Sequence, residues 1–184
     1  MLYSQQKLIM KKFNLIIFCL ALLSLSSCST QNYMETTAVN SAVEKAEFTF
    51  NAKSALPTNL DVINVMNSIP GATSSRVTNL DSGYGFDLKS DKLEVTLPYF
   101  GRLYNASYGD LNKNSFRFES KDFRVSKTQN KKGNWVVTIN VNDQSNTPTF
   151  ILEVFKNGSA FLSINANDRQ PISYDGYISN LNTK

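Results

Sequence analysis

The stretch Thr149–Asn165, TFILEVFKNGSAFLSIN, decides the fold class. Apolar and polar residues alternate on both sides of Asn157-Gly158, and a period of two is typical of strands that bury one face. Asn-Gly between two such runs is the strongest short-range signal for a β-hairpin, because both residues tolerate positive φ in a type I′ turn. The sequence therefore predicts two antiparallel strands joined by a tight turn.

The same period of two recurs from Glu47 to the end of the chain. It gives roughly nine or ten short strands, with turn signals at the spacing expected of a sandwich or barrel. We therefore predict an all-β domain over residues 47–184, an antiparallel meander that forms a lipocalin-like barrel or a β-sandwich. The stretch Leu60–Gly71 interrupts the alternation and predicts a short helix or a loop insertion. The repeated apolar faces hold Phe48 and Phe50, then Phe116 and Phe118, then Trp135, Val137, Ile139 and Val141.

Residues 1–27 have the pattern of a lipoprotein signal peptide. Lys11 and Lys12 precede an apolar core, Phe13–Leu25, that is too short for a membrane-spanning helix. Leu25-Ser26-Ser27-Cys28 matches a bacterial lipobox, which predicts cleavage before Cys28 and triacylation of that residue. Several acyl chains give firm membrane anchoring. The alternative is an ordinary secreted protein with a stray cysteine.

The segment after the lipobox predicts where the domain is held. Residues 28–46 are polar and without a strong apolar period, so they predict a tether, with a weak signal for a helix near Thr37–Ala46. Ser29 replaces the aspartate that favours inner-membrane retention. We therefore expect an outer-membrane lipoprotein on the periplasmic face of the cell envelope.

Charge excludes nucleic acid as a partner. The chain has 19 basic and 15 acidic residues, but Lys7, Lys11 and Lys12 lie in the leader. The remaining 16 basic residues nearly balance the 15 acidic ones, and no basic stripe of the kind that binds phosphate backbones is present.

Residue content also argues against catalysis. The chain has no histidine and only two cysteines, Cys19 in the leader and Cys28 in the lipobox. The usual general base, the commonest metal ligand and a thiol nucleophile are therefore missing. Asp143, with three neighbouring asparagines, lacks the spacing of an EF-hand loop, so a polar hairpin loop is favoured over calcium binding. We predict a non-enzymatic protein with no catalytic residue, metal or cofactor.

Four features together resemble one family. They are LPYFGRLY at Leu97–Tyr104, FKNGSAFLSI at Phe155–Ile164, NDRQPISYDG at Asn167–Gly176 and the lipobox. The chain resembles the bacterial lipoproteins grouped as domain of unknown function 4251, from about Glu47 to Ile178. The resemblance implies an all-β domain in the envelope of Bacteroidota, and it implies no activity and no catalytic residue.

The stretch Leu97–Gly109, LPYFGRLYNASYG, holds the candidate binding site. In one interpretation it is a pocket mouth, where tyrosines stack on a ligand and Arg102 fixes an anionic group. In the other it is a corner where aromatics cap the core and Arg102 pairs with Asp168 or Asp175. The pocket interpretation is favoured if this stretch meets the Arg169–Tyr174 segment at one end of the barrel. The candidate residues are Tyr99, Phe100, Arg102, Tyr104, Tyr108, Arg169 and Tyr174.

Two functions remain open from the sequence. A binding module would hold a small apolar or anionic ligand in an open barrel and needs a partly empty interior. A structural or interaction protein would dock on another envelope component through an exposed aromatic patch, and needs a filled core. The density of large apolar residues on the inner faces favours a filled core.

Overall fold

Nine antiparallel strands form one sheet that rolls into a nearly closed barrel in the part of the chain that the structure describes. The computed structural model describes residues 31–70, 78–104 and 115–181. The all-β prediction is confirmed, and the structure is a barrel. The strands are β1 (Phe48–Pro57), β2 (Gly85–Leu88), β3 (Leu93–Pro98), β4 (Ser115–Ser120), β5 (Phe123–Gln129), β6 (Trp135–Val141), β7 (Thr149–Val154), β8 (Ser159–Ala166) and β9 (Arg169–Ser179).

The strand order is that of a meander. The order around the sheet is β4-β3-β2-β1-β9-β8-β7-β6-β5, so chain neighbours pair and β1 pairs with β9. Successive turns therefore alternate between the two ends of the barrel. The β5–β6 and β7–β8 turns share one end, and the β8–β9 turn lies at the other, where β1 and β3 end.

Strands β4 and β5 are two sections of one extended stretch. Eight antiparallel pairings separate them around the sheet, so the two strands run in the same direction. Only Lys121 and Asp122 lie between them in the chain, which leaves no room for the chain to reverse. The first section pairs with β3 and the second with β6, so this one stretch connects the two edges of the sheet.

Asp143 holds the break between β4 and β5. Its Oδ2 accepts hydrogen bonds from the backbone N–H groups of Lys121 and Asp122, at 3.0 and 3.3 Å. Burial raises the pKa of Asp143, but hydrogen bonds from the Ser120 hydroxyl and these two N–H groups outweigh it and lower the pKa. Asp143 therefore compensates for ladder bonds that are lost at the break, as expected of a polar loop residue.

Large side chains fill the barrel interior. Phe48, Phe50, Phe116, Phe150 and Tyr174 are all less than 2% exposed. Their rings pack at tilted and edge-on angles that aromatic pairs prefer, as in the 5.9 Å contact of Phe86 with Phe150. The inward faces of the strands are those predicted from the alternation, and large apolar side chains occupy them.

Helix α1 (Thr36–Lys45) lies at the helix signal near Thr37–Ala46, within the stretch 28–46 that the sequence predicts to be a polar tether. Val39 and Val43 of this helix are 1% and 0% exposed and belong to the core. The Trp135 indole N–H also donates to Asn40 Oδ1, at 2.9 Å. The apolar period of α1 is only two turns long, too short to outweigh its polar composition in the sequence. From Tyr33 onwards the chain is therefore part of the folded domain.

The Asn157-Gly158 hairpin is confirmed, but the predicted turn type is wrong. Only Gly158 has positive φ (81°), whereas a type I′ turn also needs it at Asn157. The Gly158 N–H donates to Phe155 O and the Phe155 N–H to Ser159 O, both at 2.9 Å. This is a type I turn closed by a glycine bulge, the other common hairpin connection.

The predicted insertion after β1 contains helix α2 (Leu60–Ser68). It begins beside the start of β9, where the Thr58 hydroxyl donates to Pro171 O at 2.8 Å and the Asn59 amide to Gln170 Oε1 at 2.9 Å. Val65 and Ile69 nearby are 63% and 49% exposed. The insertion therefore adds apolar surface to this end of the barrel.

Candidate functional site

The two segments that the sequence singled out meet at one end of the barrel. Leu103 forms an isolated bridge with Arg169, Tyr104 N–H donates to Asp168 O at 2.8 Å, and Gln170 N–H donates to Arg102 O at 3.0 Å. Strands β2 and β1 lie between β3 and β9 in the sheet. Residues 99–104 must therefore pass over the barrel end to reach β9, and they cover this part of it.

Arg169 is the charged centre of this covered end. Its side chain is 4% exposed, and Nε and NH2 donate to the two carboxylate oxygens of Asp168 at 2.9 and 2.8 Å. The guanidinium carbon lies 4.9 Å from the Tyr99 ring centroid and 4.6 Å from that of Phe116. Such a planar, weakly hydrated cation suits burial between aromatic rings.

The geometry contains the aromatic cap and the ion pair of the corner interpretation, and also the meeting of the two segments that favours the pocket interpretation. The arginine that pairs with Asp168 is Arg169, whereas Arg102 is exposed. Burial raises the pKa of Asp168, but the hydrogen bonds and charge of Arg169 outweigh it and lower the pKa. Asp168 therefore stays ionised where it neutralises the buried guanidinium.

Two tyrosine hydroxyls fasten the covering segment. Tyr174 donates to Pro98 O at 2.6 Å, and Tyr99 lies 3.0 Å from both Arg102 O and Gln170 O. Burial raises the pKa of both phenols, so both hydroxyls remain protonated donors. Tyr174 is 0% exposed, which removes it from reach of an outside ligand.

The predicted binding residues therefore separate into different environments. Tyr99, Arg169 and Tyr174 pack inward, and Phe100 is half-buried against the core. Arg102 and Tyr104 lie on the surface, Tyr104 with 59% of its side chain exposed. Tyr108 lies outside the described residues. An open mouth lined by all seven side chains is not what the structure shows.

A groove on the outer face of β1 to β4 is the more open site. Its volume is about 780 Å³, within the size range of small-molecule sites. Outward-facing side chains of four neighbouring strands line it, including Thr49, Asp87, Glu94, Thr96, Arg117 and Glu119. Tyr84, which precedes β2 and packs partly against the core, also lines it. The alternation that predicted the core also gives these outward positions. Their convergence depends on strand pairing, so residue type and spacing alone do not identify them as a site.

Both signs of charge line the groove. Lys92 forms ion pairs with Glu94 and, at 3.3 Å, with Glu119, and hydrogen bonds to these carboxylates raise the pKa of Lys92. The Thr49 hydroxyl donates to Asp87 Oδ1 at 2.6 Å. Arg117 has no ion-pair partner among the residues that the structure describes. Lys89, which also lines the groove, has none there either, so both cations are available to a ligand.

The described ranges contain no group of three or more acidic, histidine or cysteine residues placed to hold a metal ion. Nor do they contain a helix with the length and apolar character needed to span a bilayer.

Comparison with known proteins gives a family and a fold. A family model described as Domain of unknown function (DUF4251) matches residues 30–178. A similar solved structure is the crystal structure of a DUF4251 family protein from Bacteroides eggerthii, with 12% sequence identity and a TM-score of 0.50. The match covers 83% of this chain and 92% of the other. None of the curated proteins matches.

Proposed function

Starting from the DUF4251 family, to which this chain belongs, we propose that the protein is an envelope-anchored, non-enzymatic module that binds a small polar ligand in the groove on β1 to β4. The family description names no function. The observation that carries the proposal is the contrast between a filled, covered barrel and an accessible groove of about 780 Å³. The proposed site lies on the outer sheet face, whereas the sequence alone pointed to the barrel mouth.

The balance of charges suggests the chemistry of the ligand. Three carboxylates, Asp87, Glu94 and Glu119, face Lys89, Lys92 and Arg117 in or beside the groove. A net charge near zero gives little attraction for a strongly ionic ligand. A hydroxyl group donates to a carboxylate and accepts from a guanidinium equally well. A neutral, hydroxyl-rich molecule such as a short saccharide therefore fits best.

Tyr84 adds an apolar surface to these polar groups. It lies half-buried at the start of β2, with its backbone fixed by the 2.9 Å bond from Ala52 N–H to Tyr84 O. Small-ligand sites commonly combine such aromatic surface with a few polar groups that set orientation. In this proposal, Tyr84 supplies contact area and Arg117 supplies directional hydrogen bonds.

The proposed location in the cell envelope is inferred from the sequence. The lipobox supports acylation of Cys28, and Ser29 supports an outer-membrane location on the periplasmic face. Intact mass of the purified protein tests this directly. Cleavage before Cys28 with acyl groups added supports it, and an unmodified chain contradicts it.

Binding is tested by NMR titration of the protein with a panel of mono- and disaccharides, alongside native mass spectrometry. We expect saturable shifts of backbone amides in β1 to β4, and an affinity about tenfold lower in Arg117→Ala, because a hydrogen bond to a charged group is lost. Arg102→Ala, an exposed arginine at the covered end, is the matched control. Shifts elsewhere, or equal effects of the two variants, would contradict the proposed site.

A second candidate function is docking on another envelope protein. Four of the five exposed large apolar side chains in the described residues, Leu56, Val65, Ile69 and Tyr104, lie on or near the covered end. Photo-crosslinking in the intact envelope from position 104, with position 151 as control, tests it. A single product that depends on position 104 and is lost in Val65→Glu supports docking. Equal products from both positions contradict it.

A further inference from the structure

The start of the folded domain is fastened to the β7–β8 turn. The N–H groups of Tyr33 and Met34 both donate to Asn157 O, at 2.9 and 3.2 Å, and the Thr36 hydroxyl donates to Lys156 O at 3.0 Å. A Cβ on Gly158 would lie 2.9 Å from Met34 Cβ, so only glycine permits this approach. Residues 33–36 are therefore held against one end of the barrel.

Tyr33 makes this attachment firm. Its ring stacks on Tyr177 with centroids 4.4 Å apart and planes 9° apart. Lys53 Nζ donates to the Tyr33 hydroxyl at 3.0 Å, a bond that raises the pKa of Lys53. Tyr33 is thus held in place on the barrel. A membrane anchor that precedes it in the chain would therefore attach the domain at this end.

Three exposed lysines lie on two turns at this same end. Lys131 and Lys132 belong to the β5–β6 turn and Lys156 to the β7–β8 turn. The two turns are adjacent, because a Cβ on Gly133 would lie 3.3 Å from Lys156 Cε. We call Lys131, Lys132 and Lys156 the lysine surface.

Neighbouring carboxylates in the described part of the chain do not neutralise the positive charges of the lysine surface, so these charges are available to an outside partner. None of its three lysines forms an ion pair within the described ranges. Glu153 Oε1, on the strand beside the turns, accepts from the side-chain amides of Asn130 and Asn134, each at 2.9 Å. Glu35 is exposed at the start of α1, which leaves positive charge in excess.

Chain length limits how far this surface lies from an anchor. Tyr33 follows Cys28 by five residues. A chain of that length spans at most roughly 18 Å when fully extended. That length is comparable with half the thickness of a bilayer including its headgroups, about 20 Å. An acylated Cys28 would therefore keep the barrel end near Tyr33 beside the membrane, whatever path the connecting residues take.

We infer that the lysine surface faces the bilayer and binds anionic phospholipid headgroups, which fixes the orientation of the barrel on the membrane. This inference rests on the proposed acylation of Cys28. A lysine near an anionic membrane surface increases binding roughly fivefold, so three of them increase it on the order of 100-fold. The opposite end, with Arg102 and Tyr104, then faces away from the membrane.

Headgroup quenching tests the orientation. The acylated protein is reconstituted into phosphatidylethanolamine–phosphatidylglycerol vesicles that contain a lipid with a spin-labelled headgroup. A fluorophore is attached to an introduced cysteine at Gln129, beside the β5–β6 turn, or at Leu56, at the opposite end. We expect severalfold stronger quenching at position 129. Equal quenching at the two positions, or stronger quenching at position 56, overturns the inference.

Charge reversal tests the role of the lysines. In Lys131→Glu/Lys132→Glu/Lys156→Glu, we expect the difference between positions 129 and 56 to disappear while the lipid anchor still holds the protein on vesicles. The control Arg102→Glu/Lys121→Glu/Arg124→Glu, with the same change in net charge elsewhere, should keep the difference. If the two triple variants behave alike, the lysine surface does not orient the protein.

Acylation is checked separately. Intact mass and flotation with neutral phosphatidylcholine vesicles show whether Cys28 carries lipid, independently of any headgroup charge. A protein that does not float contradicts the anchor and with it the inference. A protein that floats without a preferred orientation contradicts the inference alone.

Discussion

Arg169 and Asp168 are neighbours in sequence and bind each other through two parallel hydrogen bonds of 2.9 and 2.8 Å. The arginine is buried between Tyr99 and Phe116, whereas the carboxylate is partly exposed at the β8–β9 turn. The pair thus places one charge inside the barrel end and its counter-charge at the rim. The pair contributes to the closure of this end, and the first two predictions concern it.

Arg169→Ala should be strongly destabilising. It removes a buried cation, leaves a void between two rings and frees the covering segment, so we expect a loss of about 3 kcal/mol in the free energy of unfolding. Arg102→Ala, which removes an exposed arginine from the same end, should change it by less than about 0.5 kcal/mol. Urea unfolding followed by Trp135 fluorescence measures both. Similar losses in the two variants would show that the buried pair is unimportant.

The contribution of Asp168 to stability should depend on pH. Its pKa is lowered in the folded state, so the unfolded chain binds the proton more tightly. The stabilisation is therefore complete above the ordinary aspartate pKa of about 3.9 and is lost as the pH falls through the lowered folded value. Asp168→Asn should be less stable than the wild type at pH 7, and the difference should shrink below about pH 3. A difference independent of pH would refute this.

Asp143→Asn should loosen the break between β4 and β5. A charged acceptor for two backbone N–H groups is replaced by a neutral one, so we expect a loss of about 1–2 kcal/mol at pH 7. Hydrogen exchange at the amides of Lys121 and Asp122 should accelerate more than exchange in β7 and β8. Asp81→Asn, at an exposed carboxylate, is the matched control. Uniform acceleration throughout the sheet would contradict a local role.

Gly176→Ala should disrupt the pairing of β1 with β9. The added Cβ would lie 2.1 Å from Asn51 O and 2.9 Å from the Phe50 ring, in a core position that has no free volume. We expect a loss of more than about 3 kcal/mol, because a backbone oxygen of the partner strand must move. Asp175→Ala, at the adjacent exposed position, should be nearly neutral. A folded Gly176→Ala protein with wild-type stability would show that the strands shift at little cost.

The candidate site illustrates what residue type alone predicts. The sequence picked out Leu97–Gly109 and Arg169–Tyr174, and the described parts of both segments do meet at one barrel end. It assigned the ion pair to Arg102, since nothing in the sequence says which arginine is buried. That choice is made by the rings of Tyr99, just after β3, and Phe116, in β4, which enclose Arg169.

The sequence by itself determined the class of fold, because alternation and turn residues act between near neighbours. It determined the inward faces of the strands and the hairpin at Asn157-Gly158. Tertiary structure alone decided what depends on distant residues. The docking of Tyr33 on Tyr177, the pairing of β1 with β9 and the groove around Arg117 each bring together residues that are far apart in the chain. Local preference carries no information about such contacts, because closing the barrel creates them.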